Sequence, residues 1–260
     1  MSTRYAVYFA PPPESDLWRF GSRVLGRDAA TGATIEGYAP AGFSPQAWRE
    51  IAAEPRRYGF HATLKAPFHL REGRTLAELE AAIAALAAET PPFDLGVLRA
   101  SALKPHGGDA GFVALTPPER TSALAALESQ ALHRLDAFRA PPSPAEIARR
   151  RPERLSERQR EYLALWGYPY VLEEFRLHFT LTGAVPAPEA LLAKLAEDFA
   201  REVADPRFAV DAVALFEQHE GEAFRLRRRF GLSERSVQLT LPEGAASPLA
   251  GEGWGEGSAS

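Results

Sequence analysis

The sequence predicts an α+β fold: two pseudo-symmetric lobes, each an antiparallel sheet with helices on its outer face, enclosing a central cleft. Three observations carry this. The triplet His-x-Thr occurs twice, at His61-Ala62-Thr63 and His178-Phe179-Thr180, each time in a stretch that alternates like a strand. The order strand, helix, hairpin follows both triplets. The spacings nearly match: Phe93 lies 32 residues after His61 and Phe208 lies 30 after His178, while Phe112 and Phe224 follow their histidines by 51 and 46.

In chain order, residues 4–10 read as a strand with Tyr5, Val7 and Phe9 on one face and Ala6 and Tyr8 on the other. Residues 15–25 read as a helix, with Asp16 in its first turn, Leu17, Phe20 and Val24 on one face, and Gly26 as its stop. Gly, Pro and Thr make 30–45 a loop, and a short helix around 45–53 follows. In 58–70, Phe60, Ala62 and Leu64 alternate with His61, Thr63 and Lys65, so one face is buried and the other carries chemistry. Thr75 caps a helix through residue 88, with Glu78 at the capping-box position. Strands at 93–103 and 111–115 flank a glycine-containing hairpin loop at 104–109, and 117–138 is a long amphipathic helix.

The second half repeats the order. Residues 174–182 form a strand, 188–203 a helix, and 208–218 with 223–230 a hairpin about His219-Glu220-Gly221. The chain therefore divides into a first lobe at 1–139 with its connecting helix, an arginine-rich insert at 140–172, and a second lobe at 173–232. A Gly, Ala, Ser and Glu tail at 243–260 is too poor in apolar residues to order itself. The insert holds Arg149, Arg150, Arg151, Arg154, Arg158 and Arg160, interleaved with Glu153, Glu157 and Glu161. Two readings fit: a solvated helix paired within itself, or a lid that brings guanidinium forks to a phosphate.

Composition narrows the function. At 45% apolar and 25% charged, the 260 residues resemble a soluble globular protein. A net charge of −4 offers no global basic field for long duplex nucleic acid. No cysteine is present, so disulfides, thiolate nucleophiles and Cys-ligated zinc are excluded, which fits a cytoplasmic setting. The longest apolar runs fall far short of a membrane span, and no signal peptide is visible. Walker-type and dinucleotide-binding glycine loops are missing, so no cofactor is expected.

With six His and eleven Thr in the chain, chance supplies about 0.25 His-x-Thr triplets; two occur, in equivalent settings. Residues i and i+2 of a strand share a face, so His61 lies beside Thr63 and His178 beside Thr180. If the units pack about a pseudo-twofold axis, two imidazoles and two hydroxyls converge. Imidazoles titrate near neutrality and serve as general base and general acid at one pH. Hydroxyls donate to phosphate oxygens without adding charge. By strand parity Lys65 and Arg176 share these faces and offer cations. Tyr58 and Tyr168 are further substrate-binding candidates. His69, His106, His133 and His219 lack a paired context.

The doubled His-x-Thr in paired α+β units resembles the two-histidine phosphoesterase superfamily, which includes RNA 2′,3′-cyclic phosphodiesterases and bacterial 2′-5′ RNA ligase-like proteins. The strings Arg57-Tyr58-Gly59-Phe60-His61-Ala62-Thr63-Leu64-Lys65-Ala66-Pro67-Phe68 and Arg176-Leu177-His178-Phe179-Thr180-Leu181-Thr182-Gly183 are similar to one branch of it, as is Trp166-Gly167-Tyr168-Pro169-Tyr170. That branch is an uncharacterised family found with bacterial phosphonate-utilisation genes. The likeness spans about residues 3–232. It implies that His61 and His178 are an acid–base pair and that Thr63 and Thr180 bind phosphate. It also implies a metal-independent cleavage of a cyclic phosphodiester. The expected partner is a small sugar or nucleotide cyclic phosphate, a ribosyl 1,2-cyclic phosphate among them, or an RNA end. Lys65, Arg176, Tyr58 and Tyr168 match no superfamily-wide motif. Two other classes stay open: a non-catalytic module binding a nucleotide or sugar phosphate, and a metallohydrolase, for which no ligand-spaced carboxylates accompany the two histidines.

Overall fold

The computed structural model describes residues 3–104 and 110–233. Its elements are β1 (Thr3–Phe9), α1 (Asp16–Leu25), α2 (Pro45–Ile51), α3 (Ala53–Arg56), β2 (Ala62–His69), α4 (Leu76–Ala88), β3 (Phe93–Val97), β4 (Arg99–Leu103) and β5 (Phe112–Thr116). Then come α5 (Ser122–Asp136), α6 (Pro144–Arg149), α7 (Glu157–Trp166), β6 (Phe179–Thr180), α8 (Glu189–Glu202), β7 (Arg207–Val210), β8 (Ala212–His219) and β9 (Arg225–Gly231). Residues 105–109 of the loop expected at 104–109, His106 included, and the tail expected at 243–260 lie outside the described residues.

The chain is α+β, as its sequence predicts. Seven strands form one sheet in the order β4-β5-β6-β2-β1-β8-β9, and β3 pairs with β7 in a two-stranded ribbon. All these pairings are antiparallel. Equivalent strands of the two units meet: β2 lies against β6 and β3 against β7. The hairpins are exchanged. The β4–β5 hairpin follows the first triplet in sequence yet flanks β6, while β8–β9 follows the second triplet yet lies beyond β1, on the β2 side. The sheet therefore crosses the boundaries that sequence order draws at 139 and 173.

Local chemistry sets the helix ends. The Ser15 hydroxyl accepts from the Trp18 N–H, and Gly26 closes α1 at φ 73°. Thr75 and Glu78 form the expected capping box on α4. The helix expected from 117 starts only at Ser122, where Thr121 caps it behind Pro117-Pro118. The strand expected at 93–103 breaks into β3 and β4 near Gly96, at φ 78°, and Leu98 donates its N–H to the Pro206 carbonyl instead. The equivalent stretch at 208–218 breaks in the same way at Asp211, into β7 and β8. Each break moves the chain from the ribbon to the main sheet. The strand expected at 174–182 shrinks to Phe179–Thr180, because Leu172–Glu174 coils into a 3-10 turn and Leu181 and Thr182 both donate to the Val113 carbonyl.

The sheet's core face receives α1, α4, α5 and α8 through residues such as Phe20, Ile83, Leu127 and Leu195. Phe60, Ala62 and Leu64 of the β2 segment and Leu177, Phe179 and Leu181 around β6 point into this core. Phe60 and Phe179 stack with ring centroids 5.2 Å apart, directly beneath the junction of the two triplets. The opposite face carries a smaller cluster built on Ala6, Tyr8, Ala214 and Phe216. Gly21 of α1 presses on Phe60 so closely that an added Cβ would fall 2.1 Å from its ring. Gly21→Ala is therefore expected to cost about 1–3 kcal/mol through overpacking, read as a lowered midpoint in urea unfolding, with a displaced His61 signal in NMR spectra.

Candidate active site

One backbone pairing assembles the site. Ala62 of β2 lies opposite Phe179 of β6, so the central residues of the two triplets face each other across an antiparallel ladder. Carried one residue either way, the same register sets His61 opposite Thr180 and Thr63 opposite His178. All four side chains project from the non-core face, since their neighbours Phe60, Ala62, Leu177 and Phe179 are buried. In such a ladder the two histidines are diagonal neighbours, about 7–8 Å apart. That gap suits one phosphoryl group held between them.

Each imidazole is tied down identically. His61 Nδ1 lies 2.8 Å from the Gly59 carbonyl, and His178 Nδ1 lies 2.8 Å from the Arg176 carbonyl. A carbonyl only accepts, so both rings carry their proton on Nδ1 and leave Nε2 with a lone pair. The Thr63 hydroxyl sits 3.4 Å from His61 Nε2. Tyr8 stacks on His61 with centroids 3.8 Å apart, and Phe112 lies 5.4 Å from the His178 ring. Burial pushes His61 down to about 4, against the opposing pull of the Gly59 carbonyl, and the charge of a protonated His178 lowers it further. Burial also lowers His178, which the Arg176 carbonyl resists.

A cavity of about 340 Å³ opens beside this set, lined by Tyr8, Tyr58, His61, Thr63, Thr180 and Arg150 among others, with His178 outside its lining. Tyr58 is thus on the wall where it was expected, its ring 6.2 Å from His61 and stacked on Phe224. Tyr168 is one step removed, its ring 4.8 Å beneath the Arg150 guanidinium. The insert divides between its two readings. Arg158 pairs with Glu161 and Glu173 as a solvated helix would, whereas Arg150 reaches the cavity.

Two expectations are corrected. Lys65 does not join the His61–Thr63 face. The β1–β2 register shifts between Tyr8↔Thr63 and Val7↔Lys65, and that bulge breaks the alternation at Leu64. Lys65 is buried and bonds Asp136 at 3.2 Å, which Arg139 also holds at 2.7 Å; burial lowers its amine to about 8 against the Asp136 charge. Arg176 is exposed and contributes its carbonyl, to His178 Nδ1. Sequence reasoning missed Tyr8 as the platform under His61. The signal was its place as the one aromatic side chain opposite Tyr5, Val7 and Phe9 on β1. Thr182 also lines the cavity, but its hydroxyl is committed to the Val113 N–H and the Gly183 carbonyl.

Among the described residues, no three His, Cys, Asp or Glu side chains gather as a metal site, and no helix is long and apolar enough to cross a membrane. The fold and site define an antiparallel α+β protein whose two His-x-Thr triplets meet on one sheet face. More particularly, the chain belongs to the family described as "Protein of unknown function (DUF1045)", whose model matches residues 63–225. It is 40% identical over 228 residues to a ribose 1,5-bisphosphate phosphokinase PhnN of Laribacter hongkongensis, covering 86% of this chain and 51% of that protein. The chain spans about half the length of the curated relatives it matches. Among solved structures it is similar to a phosphoesterase (17% identity, TM-score 0.41, covering 90% of this chain and 99% of that one). It is also similar to Escherichia coli LigT complexed with 3′-AMP (16%, TM-score 0.40, covering 90% and 99%).

Both histidines are expected to titrate below the ordinary imidazole value of about 6.5, His61 near 4, as read by ¹⁵N–¹H NMR of the ring nitrogens. At neutral pH the proton is expected on Nδ1 of each ring. Lys65→Met, which replaces a buried ion-pair partner by an apolar chain of similar length, is expected to alter unfolding midpoints while leaving both titrations in place.

Proposed function

We propose that the protein is a metal-independent phosphoesterase that hydrolyses a cyclic phosphodiester by acid–base catalysis between His61 and His178. The observation that carries this reading is the Ala62↔Phe179 register, from which two imidazoles and two hydroxyls share one sheet face. His61, stacked on Tyr8 and held neutral down to about 4, is the base: its Nε2 takes a proton from water as the water oxygen attacks phosphorus. His178 takes the complementary role of acid: its Nε2–H goes to the ester oxygen as the P–O bond breaks. The product is a phosphate monoester, and the histidines have exchanged protonation states. Thr63 and Thr180 donate to the non-bridging oxygens, where charge accumulates. The anionic ester favours the imidazolium, so substrate binding itself raises His178 toward its working state.

The substrate is read as a small sugar cyclic phosphate in phosphonate metabolism rather than an RNA end. The relatives' printed name points to a ribose bisphosphate. Their kinase chemistry has no seat in this chain, whose three lysines, Lys65, Lys104 and Lys194, all lie outside any Gly-x-x-x-x-Gly-Lys-Ser/Thr loop. The alternative, a module that binds such a phosphate without turning it over, separates on turnover of a broad cyclic-phosphate panel. No excess of wild type over the His61→Ala/His178→Ala double variant would favour it.

Leaving groups distinguish the two histidines. His61→Ala is expected to lose about 10²–10⁴-fold in kcat on all esters. His178→Ala is expected to lose as much on cyclic phosphates but far less on bis(p-nitrophenyl) phosphate, whose leaving phenolate needs no proton. Equal losses on both esters would overturn the assignment. In the pH profile, kcat/KM should rise through about 4 as His61 loses its proton. It should fall again below 6.5 as His178 loses its own, with the falling limb of kcat displaced to higher pH. Turnover should survive EDTA; loss with rescue by a divalent ion would replace this mechanism with a metal-assisted one.

A further inference from the structure

Beside the histidine cavity lies a second, larger recess of about 480 Å³, between the N-terminal end of β1, the start of the insert and α6. Arg150 and Tyr58 line both, so the two spaces are contiguous. The recess wall carries Arg4, Arg57, Arg139, Arg149 and Arg150 against Glu54 and Glu146, an excess of positive charge in a chain whose net charge is −4. Not all of it is available. Arg139 is spent on Asp136, and Arg4 is held by Gln218. Glu146 is occupied by the Ser143 cap. By contrast, among the described residues Arg57, Arg149 and Arg150 have no carboxylate within ion-pair distance. Three guanidiniums line the recess from α3's C-cap and the end of α6, outnumbering the carboxylates of Glu54 and Glu146 on the same wall. Like charges gathered this way repel one another, and an anion relieves the repulsion.

We propose that this recess is a second anion subsite that receives a phosphate monoester on the same substrate. The molecule hydrolysed would then be a phosphorylated sugar carrying a cyclic phosphodiester at one end and a phosphate monoester at the other. The proposal rests on the phosphoesterase reading for its first subsite only. Arginine forks match a phosphate's oxygens bidentately, which lysines do not, and this wall holds arginines without a lysine. The two spaces together have the size of a site for one small ligand, and the net charge disfavours a polynucleotide as the occupant.

The test compares ribose 1,2-cyclic phosphate with its 5-phosphate as substrates of the full chain. Wild type is expected to prefer the 5-phosphate by about tenfold or more in kcat/KM, chiefly through KM, since each fork adds a charge-assisted contact made equally in ground and transition states. Arg57→Ala/Arg149→Ala should abolish the preference, and Arg149→Glu should reverse it. Equal kcat/KM for both esters, or a preference untouched by these variants, would overturn the proposal. So would a stronger preference for oligonucleotides ending in a cyclic phosphate. Calorimetry with ribose 5-phosphate reads the recess even if neither ester is turned over. Binding weakened by Arg57→Ala/Arg149→Ala but not by His61→Ala/His178→Ala upholds the subsite independently of catalysis. Binding insensitive to the arginine variants rejects it.

Discussion

Ala62 and Phe179 face each other where β2 meets β6, and the geometry of the site follows from that contact. In an antiparallel ladder the side-chain period is two, so a slip of one residue would send His178 and Thr180 into the core and Leu177 and Phe179 into the cleft. The register is held from below. Phe60 and Phe179 stack at 5.2 Å, both fully buried, and α1 packs Gly21 directly against Phe60. A polar site is thus located by apolar packing on the far side of the same two strands.

That location has an electrostatic consequence. A histidine resting on the Tyr8 ring, inside a cleft, gives up much of its hydration, and its charged form is penalised. The fold answers with one carbonyl per ring, from Gly59 and Arg176, which fixes both tautomers while leaving both reactive nitrogens unengaged by the backbone. The cations lie farther out, on the insert and the α3 cap. Lys65, four residues after His61, is drawn away by Asp136 and stabilises the join between β2 and α5.

Much of this was legible in the residues. The triplets, the capping box at Thr75 and Glu78, the alternation of β1 and the repeated strand-helix-hairpin order all arise from local chemistry that a sequence displays. What stayed hidden depended on partners far along the chain. The bulge at Leu64 is a mismatch between β1 and β2, and it overturned the parity argument for Lys65. β6 is short because the Val113 carbonyl takes two amides that strand alternation would have sent elsewhere. The breaks between β3 and β4 and between β7 and β8 occur where the chain leaves the ribbon for the main sheet, a decision no local propensity encodes. Arg150 and Arg158 belong to one charge run in sequence. The turn at Pro152–Arg154 separates them, which sends one to the cavity and leaves the other in solvent.

The exchange of hairpins also sets a timetable. β1 is flanked by β2, which follows it closely, and by β8, with Thr3 opposite His219, 216 positions along the chain. At translation rates of about 5–20 residues per second, the newborn β1–β2 pair waits roughly 8–30 s with unpaired edges. Tyr5, Val7 and Phe9 meanwhile lack part of their covering. A chain built this way gains a site composed from both its units, and passes through a vulnerable adolescence to reach it. Chaperone dependence and aggregation of truncated products are where that cost would be felt, well away from the two histidines.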